Sequence, residues 1–441
     1  MGVLVGGTAL AHGITALALP VLSRLYSPAE FSTLAVFASL LSIVSVAACL
    51  RFDVAVSIPR QDSDAANLLA LALGCALIIS LLVAVPALLI PDQIARWTNQ
   101  AKLGTHLWLL PIGVALAASY SALQGWMVRK KSFGMIARSR IVQSAAAAGT
   151  QISMGTSGVG SFGLLVGYVL NAGAACVVLG FRLLRFERAA LREVTWPGMR
   201  AMAIEHHRFP KYSTWEALCN SAAIQIPIIM IAAMAIGPEA GYLSMAMYVM
   251  QAPMALVGTA IGQVYLSNAP AEYREGRLGA FTAEVFGGLL KAGVGPLLFV
   301  GIVSPLAFPF VFGEDWRRAG YLVAWLTPWF IMQFLASPIS MALHVTGHQR
   351  IAMYLQNFSL VIRIAAVWLG AVLLPVAVSE VYALSGFFVY GVYTVIVLRI
   401  VHAARRDLIN ELHKSLKIVL LWLAASIVVA FILKFFFNTR N

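Results

Sequence analysis

Charged side chains inside long apolar stretches are the residues of this sequence that could do chemistry. Arg363 lies thirteen residues beyond Arg350 in a mostly apolar stretch, and Lys291 lies eight residues into its own stretch. Within a membrane such charges are costly and usually functional. Because both are cationic, and because an arginine fork matches phosphate oxygens, we predict that they bind an anionic substrate. The alternative for Arg363 is that it pairs with an acidic group or reaches the interface. The alternative for Lys291 is that it reaches the interface, to which it lies closer.

Five further charged residues stand at or near the ends of apolar stretches. Arg24 closes the first stretch, Arg51 closes the second and Arg140 opens the fifth, and we predict that all three help to bind the same anion. Asp53 and Glu216, the latter near the start of the seventh stretch, are candidates for exchanging a proton or another ion. A local ion pair between Arg51 and Asp53 is the alternative.

Two patterns that could indicate a metal or a cofactor are incomplete. His344 and His348 are four residues apart, but no Cys, Asp or Glu lies between Asp315 and Glu380 to complete a metal site. The glycines of residues 158–163 fit a dinucleotide fingerprint, yet they separate two apolar stretches, where we expect a tight turn. We predict no metal, no cofactor and no catalytic residue, and thus a protein that is not an enzyme.

The composition identifies the elements that must position these charges. Of the 441 residues, 60% are hydrophobic and 11% are charged, whereas a soluble domain carries about 25% charged residues. We therefore predict an all-α membrane protein, in which about 20 apolar residues form each span. The candidate spans are 1–22, 31–50, 67–90, 106–127, 140–157, 161–181, 213–236, 241–266, 283–311, 319–345, 351–374, 381–399 and 416–436.

The longest polar interruption, Arg182–Tyr212, holds seven of the 31 Lys and Arg residues. Similar segments stand on either side, Ser27–Ala35 before it and Gly237–Ala246 after it. We therefore predict two similar halves with a site between them, as in many transporters. The predicted organisation is a six-helix lobe at 1–181, a cytoplasmic linker at 182–212, a second six-helix lobe at 213–400, and a cytoplasmic segment with an extra transmembrane helix at 401–441.

Lysine and arginine are distributed unevenly between alternate loops. With the linker inside, the inside loops hold 22 of them, and the outside loops with the C-terminal tail hold 7. This asymmetry predicts the orientation, because cytoplasmic loops carry the excess of positive charge. The net charge of +13 is spread over those loops without a motif that reads bases, so we expect no nucleic-acid partner.

The outside loops are short, and the longest, Pro91–Thr105, has about 15 residues. A membrane glycosyltransferase or glycan polymerase would need a larger outer loop for its catalytic site, so this class is a weaker alternative. A small-molecule or cation antiporter of the same fold would be expected to have an acidic cavity. A non-transporting scaffold would leave Arg363 unexplained.

Several short motifs follow one another in an order that resembles a known family. They are RLYSPAEF at 24–31, LRFDVA at 50–55, the basic loop WMVRKKSFGMIARSR at 126–140, RFPKY at 208–212, GPEAG at 237–241, FGEDW at 312–316 and ASP at 336–338. In these motifs the chain is similar to the Wzx-type polysaccharide and O-antigen flippases, a branch of the multidrug/oligosaccharidyl-lipid/polysaccharide (MOP) exporter superfamily. Asp53 stands where that family usually has Glu.

The resemblance implies two lobes with twelve core transmembrane helices around a central cationic cavity; the extra helix would be a thirteenth. It implies a transporter in lipopolysaccharide, capsule or exopolysaccharide biosynthesis. This flippase would move an undecaprenyl-diphosphate-linked oligosaccharide from the cytoplasmic to the outer leaflet of the bacterial inner membrane by alternating access. Expected partners are this lipid-linked substrate, membrane lipids, and a polysaccharide polymerase with its chain-length regulator.

Overall fold

The computed structural model describes the backbone of residues 2–438 and the side chains of residues 6–251, 254, 261–262 and 264–435. Within that part the chain is helical and has no strand, as the sequence predicts. A helix satisfies its own backbone hydrogen bonds, which apolar surroundings require. The long helices are α1 Gly2–Leu25, α2 Pro28–Ala48, α3 Asp62–Leu89, α4 Leu109–Arg129, α5 Phe133–Thr156, α6 Ser161–Phe186, α7 Thr214–Met234, α8 Glu239–Arg274, α9 Leu278–Phe312, α10 Arg317–Ile339, α11 Gln349–Leu373, α12 Val378–Ile400 and α13 Arg405–Asn438.

Each predicted span falls on one of these helices. Among the described residues, ten helices are long and apolar enough to cross a membrane, and α4, α5 and α8 are not among those ten. That all thirteen cross the membrane stays a prediction.

The helices form two compact units, one ending at Met234 and the other beginning at Ala235. Helix α7 belongs to the first unit, where it packs along α2 and where Ser39 donates a hydrogen bond of 3.0 Å to the amide oxygen of Gln225. The unit boundary therefore lies one helix later than the predicted lobe boundary. The division into two repeated six-helix lobes stays a prediction.

Tyr26, in the turn between α1 and α2, holds three helices of the first unit together. Its hydroxyl donates a hydrogen bond of 2.6 Å to the carbonyl of Gln151 in α5. The same hydroxyl lies against Gly163 of α6, where any side chain would collide with it. Beside it, Ser27 and Glu30 form a capping box at the start of α2. Packing and helix capping thus explain much of the RLYSPAEF motif.

The predicted linker packs against the first unit. Asn67, a buried residue of α3, donates a hydrogen bond of 3.3 Å to the carbonyl of Glu193 in the linker. Lys130, just beyond α4, forms ion pairs with Asp62 at the start of α3 and with Glu187 of the linker, at 2.6 and 3.0 Å. These contacts attach the linker to the ends of α3 and α4.

In the second unit, α13 packs along α9. Helix α9 contains one π-helical turn at Leu290–Val294, and Gly295 follows it. Trp422 of α13 lies against Gly295, where an added Cβ would collide with the indole ring. The helix predicted as an extra transmembrane helix therefore packs closely against α9 of the second unit.

Candidate anion-binding site

Arg363 lies on the buried face of α11, with 3% of its surface exposed. Its guanidinium carbon is 4.6 Å from the ring centre of Trp329 in α10. It is 5.9 and 5.6 Å from the ring centres of Tyr382 and Tyr390 in α12. The negative face of an aromatic ring attracts a cation, and more strongly where water is excluded. We call these four residues the Arg363 site.

No carboxylate neutralises this charge: within the described part of the chain, Arg363 forms no ion pair within 4 Å. Its Nε and the Nε1 of Trp329 are both buried without a hydrogen-bond partner. Buried charges are normally paired, because taking an ion out of water is costly. A guanidinium with an unused donor can instead receive the oxygens of a phosphate or carboxylate.

Lys291 has the acidic partner that Arg363 lacks. Its Nζ lies 3.1 Å from a carboxylate oxygen of Glu411, a residue of α13. The same carboxylate also pairs with Lys414 at 2.5 Å. The sequence did not predict this ion pair for Lys291, because Glu411 is distant in the chain. Substrate binding by Lys291 stays a prediction.

The three arginines of the first unit have different environments. Arg24 is exposed at the end of α1. Arg140 of α5 donates a hydrogen bond of 2.6 Å to the hydroxyl of Thr8 in α1. Arg51 has a left-handed backbone conformation with φ of 61° in the turn after α2, and its Nε is buried without a partner.

The two candidate ion-exchanging carboxylates differ in burial. Asp53 is 6% exposed, and its Oδ2 accepts a hydrogen bond of 2.6 Å from the hydroxyl of Ser121 in α4. Its Oδ1 is buried without a partner, and no ion pair within 4 Å joins it to Arg51. Glu216, by contrast, is exposed on α7. Of the two, Asp53 is the carboxylate held in an enclosed position.

Within each unit, the predicted residues do not gather around one shared contact. Arg51 and Asp53 share a turn of the first unit, whereas Arg140 is held by α1. In the second unit, Arg363 and Lys291 contact different residues on different helices. A joint role in binding one anion stays a prediction.

Comparison with known proteins identifies the family. A family model described as "Polysaccharide biosynthesis protein" matches residues 21–320, more than half of the chain. The chain belongs to this polysaccharide biosynthesis family. The resemblance stated from the sequence motifs is thereby confirmed. A search of curated proteins found no match.

Solved structures similar to this polysaccharide biosynthesis protein come from the MOP superfamily. The lipid II flippase MurJ in an inward closed conformation has a TM-score of 0.73 at 12% identity, covering 100% of this chain and 99% of that one. An inward-facing multidrug resistance MATE family transporter has a TM-score of 0.70 at 16% identity, covering 89% and 95%. A MOP superfamily transporter from Pyrococcus furiosus, described as having a binding pocket of reverse polarity, has a TM-score of 0.56 at 14% identity, covering 91% and 94%. At these identities the likeness shows a shared fold.

Sequence reasoning missed the aromatic residues of the Arg363 site. Tyr382 and Tyr390 are eight residues apart and so share one face of α12, but nothing in the sequence indicates that this face meets Arg363. It also missed Arg318, which pairs with Glu239 of α8 at 2.8 Å and with Glu380 of α12 at 2.6 Å. Arg318 thereby joins the first turns of three helices in the second unit.

The patterns set aside in the sequence have ordinary structural roles in this family member. Gly158 and Gly160 have positive φ angles of 70° and 66° in the turn between α5 and α6, as expected. His348 stands at the N-terminal cap of α11. No group of three His, Cys, Asp or Glu residues that could hold a metal ion occurs among the described residues.

Proposed function

We propose that this chain is a flippase that moves undecaprenyl-diphosphate-linked oligosaccharide units from the cytoplasmic to the outer leaflet by alternating access. The observation that carries the proposal is the Arg363 site, a buried cation without a carboxylate partner among the described residues, in a member of a polysaccharide biosynthesis family. A diphosphate supplies the negative charge that this site lacks. The likeness in fold to a lipid II flippase along the whole chain supports a lipid-linked cargo.

Substrate binding at Arg363 requires the surrounding helices to separate, because three aromatic rings enclose the guanidinium. In the proposed cycle, opening between α10, α11 and α12 exchanges ring contacts for hydrogen bonds to diphosphate oxygens. Closing restores the rings and releases the anion. In the closed state, which has no substrate, the rings stabilise the cation. This stabilisation lowers the free-energy difference between the closed state and the open, anion-bound state.

Arg24, Arg51 and Arg140 are proposed to contact the diphosphate or acidic sugars during this cycle. Lys291 is proposed to do so as well, which requires it to leave Glu411. A basic side chain that is held by one neutral partner, as Arg140 is by the hydroxyl of Thr8, can exchange that contact for a phosphate oxygen at little cost.

Asp53 is proposed to couple an ion to translocation. Ser121 holds Oδ2, and Oδ1 keeps a lone pair for a proton or another cation in an enclosed setting. Ion binding there would favour one state of the alternating cycle. Glu216, which is exposed on α7, is proposed as the second candidate.

We place this activity in the bacterial inner membrane, with no catalytic step and no cofactor. The translocated unit would be a precursor of O-antigen, capsule or exopolysaccharide. A polysaccharide polymerase and its chain-length regulator would then act on that unit at the outer face.

The test is to measure which leaflet holds the undecaprenyl-linked oligosaccharide in cells depleted of this protein. We expect the lipid-linked unit to accumulate facing the cytoplasm while surface glycan disappears, and we expect the intact gene to reverse both effects. If the unit reaches the outer leaflet but stays unpolymerised, the protein acts after translocation, and the polymerase alternative replaces the flippase.

A small-molecule or cation antiporter is the second candidate, because the same fold occurs in a multidrug resistance transporter. It predicts that depletion sensitises cells to cationic drugs and leaves surface glycan unchanged. The cationic Arg363 site argues against it, since a site for cationic drugs needs an acidic partner.

A further inference from the structure

The first unit contains an open cavity of about 580 Å³ at the turn between α4 and α5. Its walls come from the start of α1, the first turns of α5 and one residue near the end of α6. The charged residues among its lining are Lys131, Arg138 and Arg182, and none of the lining residues is acidic. The volume exceeds that of a single phosphate group, so a lipid headgroup would fit inside.

Among the residues whose side chains the structure describes, these three cations have no carboxylate partner, although acidic groups lie nearby. The neighbouring Arg129 and Lys130 both pair with Asp62, and Lys130 also pairs with Glu187. In the described part of the chain, Lys131, Arg138 and Arg182 form no ion pair. Arg182 only stacks on Phe186, with its guanidinium carbon 4.7 Å from the ring centre. The acidic groups at this end of the unit therefore neutralise one pair of cations and leave the cavity positive.

Backbone features add to the positive character of the cavity. Lys131 has a left-handed φ of 52°, which reverses the chain between α4 and α5. Ser132 is the N-cap residue of α5, and its side chain accepts no hydrogen bond from the first N–H groups of this 24-residue helix. Gly134 also lines the cavity. A Cβ added there would meet no atom within 4 Å, so no side chain covers the backbone at this point.

We infer that this cavity binds the phosphate group of a membrane lipid. The distribution of Lys and Arg predicts that the loop between α4 and α5 faces the cytoplasm, so the cavity would open at the headgroup level of that leaflet. Basic pockets between helices at this level recognise anionic headgroups. The phosphate can come from a resident anionic phospholipid or from the diphosphate of the lipid-linked cargo. The inference concerns binding alone, so it does not depend on the proposed translocation.

The experiment measures lipid binding by the purified full-length protein in neutral detergent micelles. The probes are phosphatidylglycerol and undecaprenyl diphosphate, with undecaprenol as the phosphate-free control. The test variant changes Lys131, Arg138 and Arg182 to Gln. The matched control changes three exposed linker residues, Arg192, Arg200 and Arg208, to Gln and so removes the same charge away from the cavity.

We expect each cavity substitution to weaken binding about fivefold and the triple substitution to weaken it about a hundredfold, with undecaprenol unaffected. The control triple variant should bind as the parent does. Gly134→Leu, which keeps every charge but adds an apolar side chain to the lining of the cavity, should also weaken binding at least about tenfold. Of phosphatidylglycerol and undecaprenyl diphosphate, the lipid whose binding is weakened more by the cavity substitutions is the source of the phosphate.

The inference is overturned if the cavity and control variants lose equal affinity, or if Gly134→Leu and the triple cavity variant both bind as the parent does. A thermal-unfolding scan of each variant identifies any that is misfolded. If the triple cavity variant is misfolded, lipid binding by Gly134→Leu tests the inference instead. If the cavity does not bind these lipids, the proposed flippase function is not thereby contradicted, since the leaflet assay measures translocation in cells.

Discussion

The guanidinium carbon of Arg363 lies 4.6 Å from the ring centre of Trp329, and this contact takes the place that a carboxylate usually occupies beside a buried cation. Trp329 in turn rests on Gly386 of α12, where any side chain would collide with the indole. The position of the ring over the cation is therefore determined by a glycine on the neighbouring helix.

Arg363→Met should separate stability from transport. Methionine fills a similar volume without the cost of burying a charge, so the midpoint of thermal unfolding should stay equal or rise. Transport should be lost, because the anion loses its partner. Arg363→Glu should also abolish transport and destabilise the fold by about 3 kcal/mol. Both are measured by thermal unfolding in detergent and by the leaflet assay.

Arg350→Met, at an exposed position of the same helix, is the matched control and should leave transport unchanged. Full transport by Arg363→Met would remove Arg363 from the substrate site.

Arg318→Ala should destabilise the second unit more than Arg317→Ala does. Arg318 bridges Glu239 and Glu380, whose side chains are only 8% and 12% exposed, so its removal leaves two enclosed carboxylates unpaired. We expect a loss of about 2–4 kcal/mol. The adjacent Arg317 pairs with Glu314 on the surface, and its loss should cost at most about 0.5 kcal/mol. Equal unfolding midpoints for the two variants would contradict the bridging role.

Lys291→Gln and Glu411→Gln should have the same phenotype if their ion pair attaches α13 to α9. Each should lower the unfolding free energy modestly, and the double variant should reveal a coupling of about 1 kcal/mol, since both side chains are partly exposed. If Lys291 binds substrate, only Lys291→Gln loses transport. The comparison thus decides between the predicted binding role and the observed ion pair.

Tyr26 should make stability depend on alkaline pH. Burial, reinforced by the charge of Glu30, raises the pKa of Tyr26 to about 12 from the ordinary value of 10.0. Because the folded state holds this proton more tightly, its contribution is complete below pH 10 and is lost as the pH rises towards 12. We expect this loss to reach about 1–2 kcal/mol, allowing for incomplete desolvation.

Tyr26→Phe isolates this contribution, because every other tyrosine is unchanged. At pH 7 the variant should lose about 1 kcal/mol, the value of the hydrogen bond to Gln151. Between pH 10 and 12 its unfolding midpoint should fall less than that of the parent. Parallel decreases in the two proteins would show that the pKa of Tyr26 is the same in the folded and unfolded states, contrary to this prediction.

The sequence alone determined the all-helical class, the positions of the long helices and the family. An apolar stretch of about 20 residues can satisfy its backbone only as a helix in lipid, so local composition is sufficient for this inference. Charge asymmetry predicts the orientation for a similarly local reason. Arg363 and Asp53 could be selected because a charge in an apolar stretch is costly wherever the helix packs.

Only the tertiary structure decided what those charges contact. Arg363 faces three aromatic rings from α10 and α12, whereas Lys291 faces Glu411, which lies 120 positions later in the chain. Both are single cations in apolar helices, and the sequence around each residue does not show which partner it contacts. The difference arises from which helix faces meet, and close packing at positions such as Gly386 and Gly295 selects those faces. Packing partners distant in sequence leave no local pattern, so the partner of a buried charge is a property of the fold.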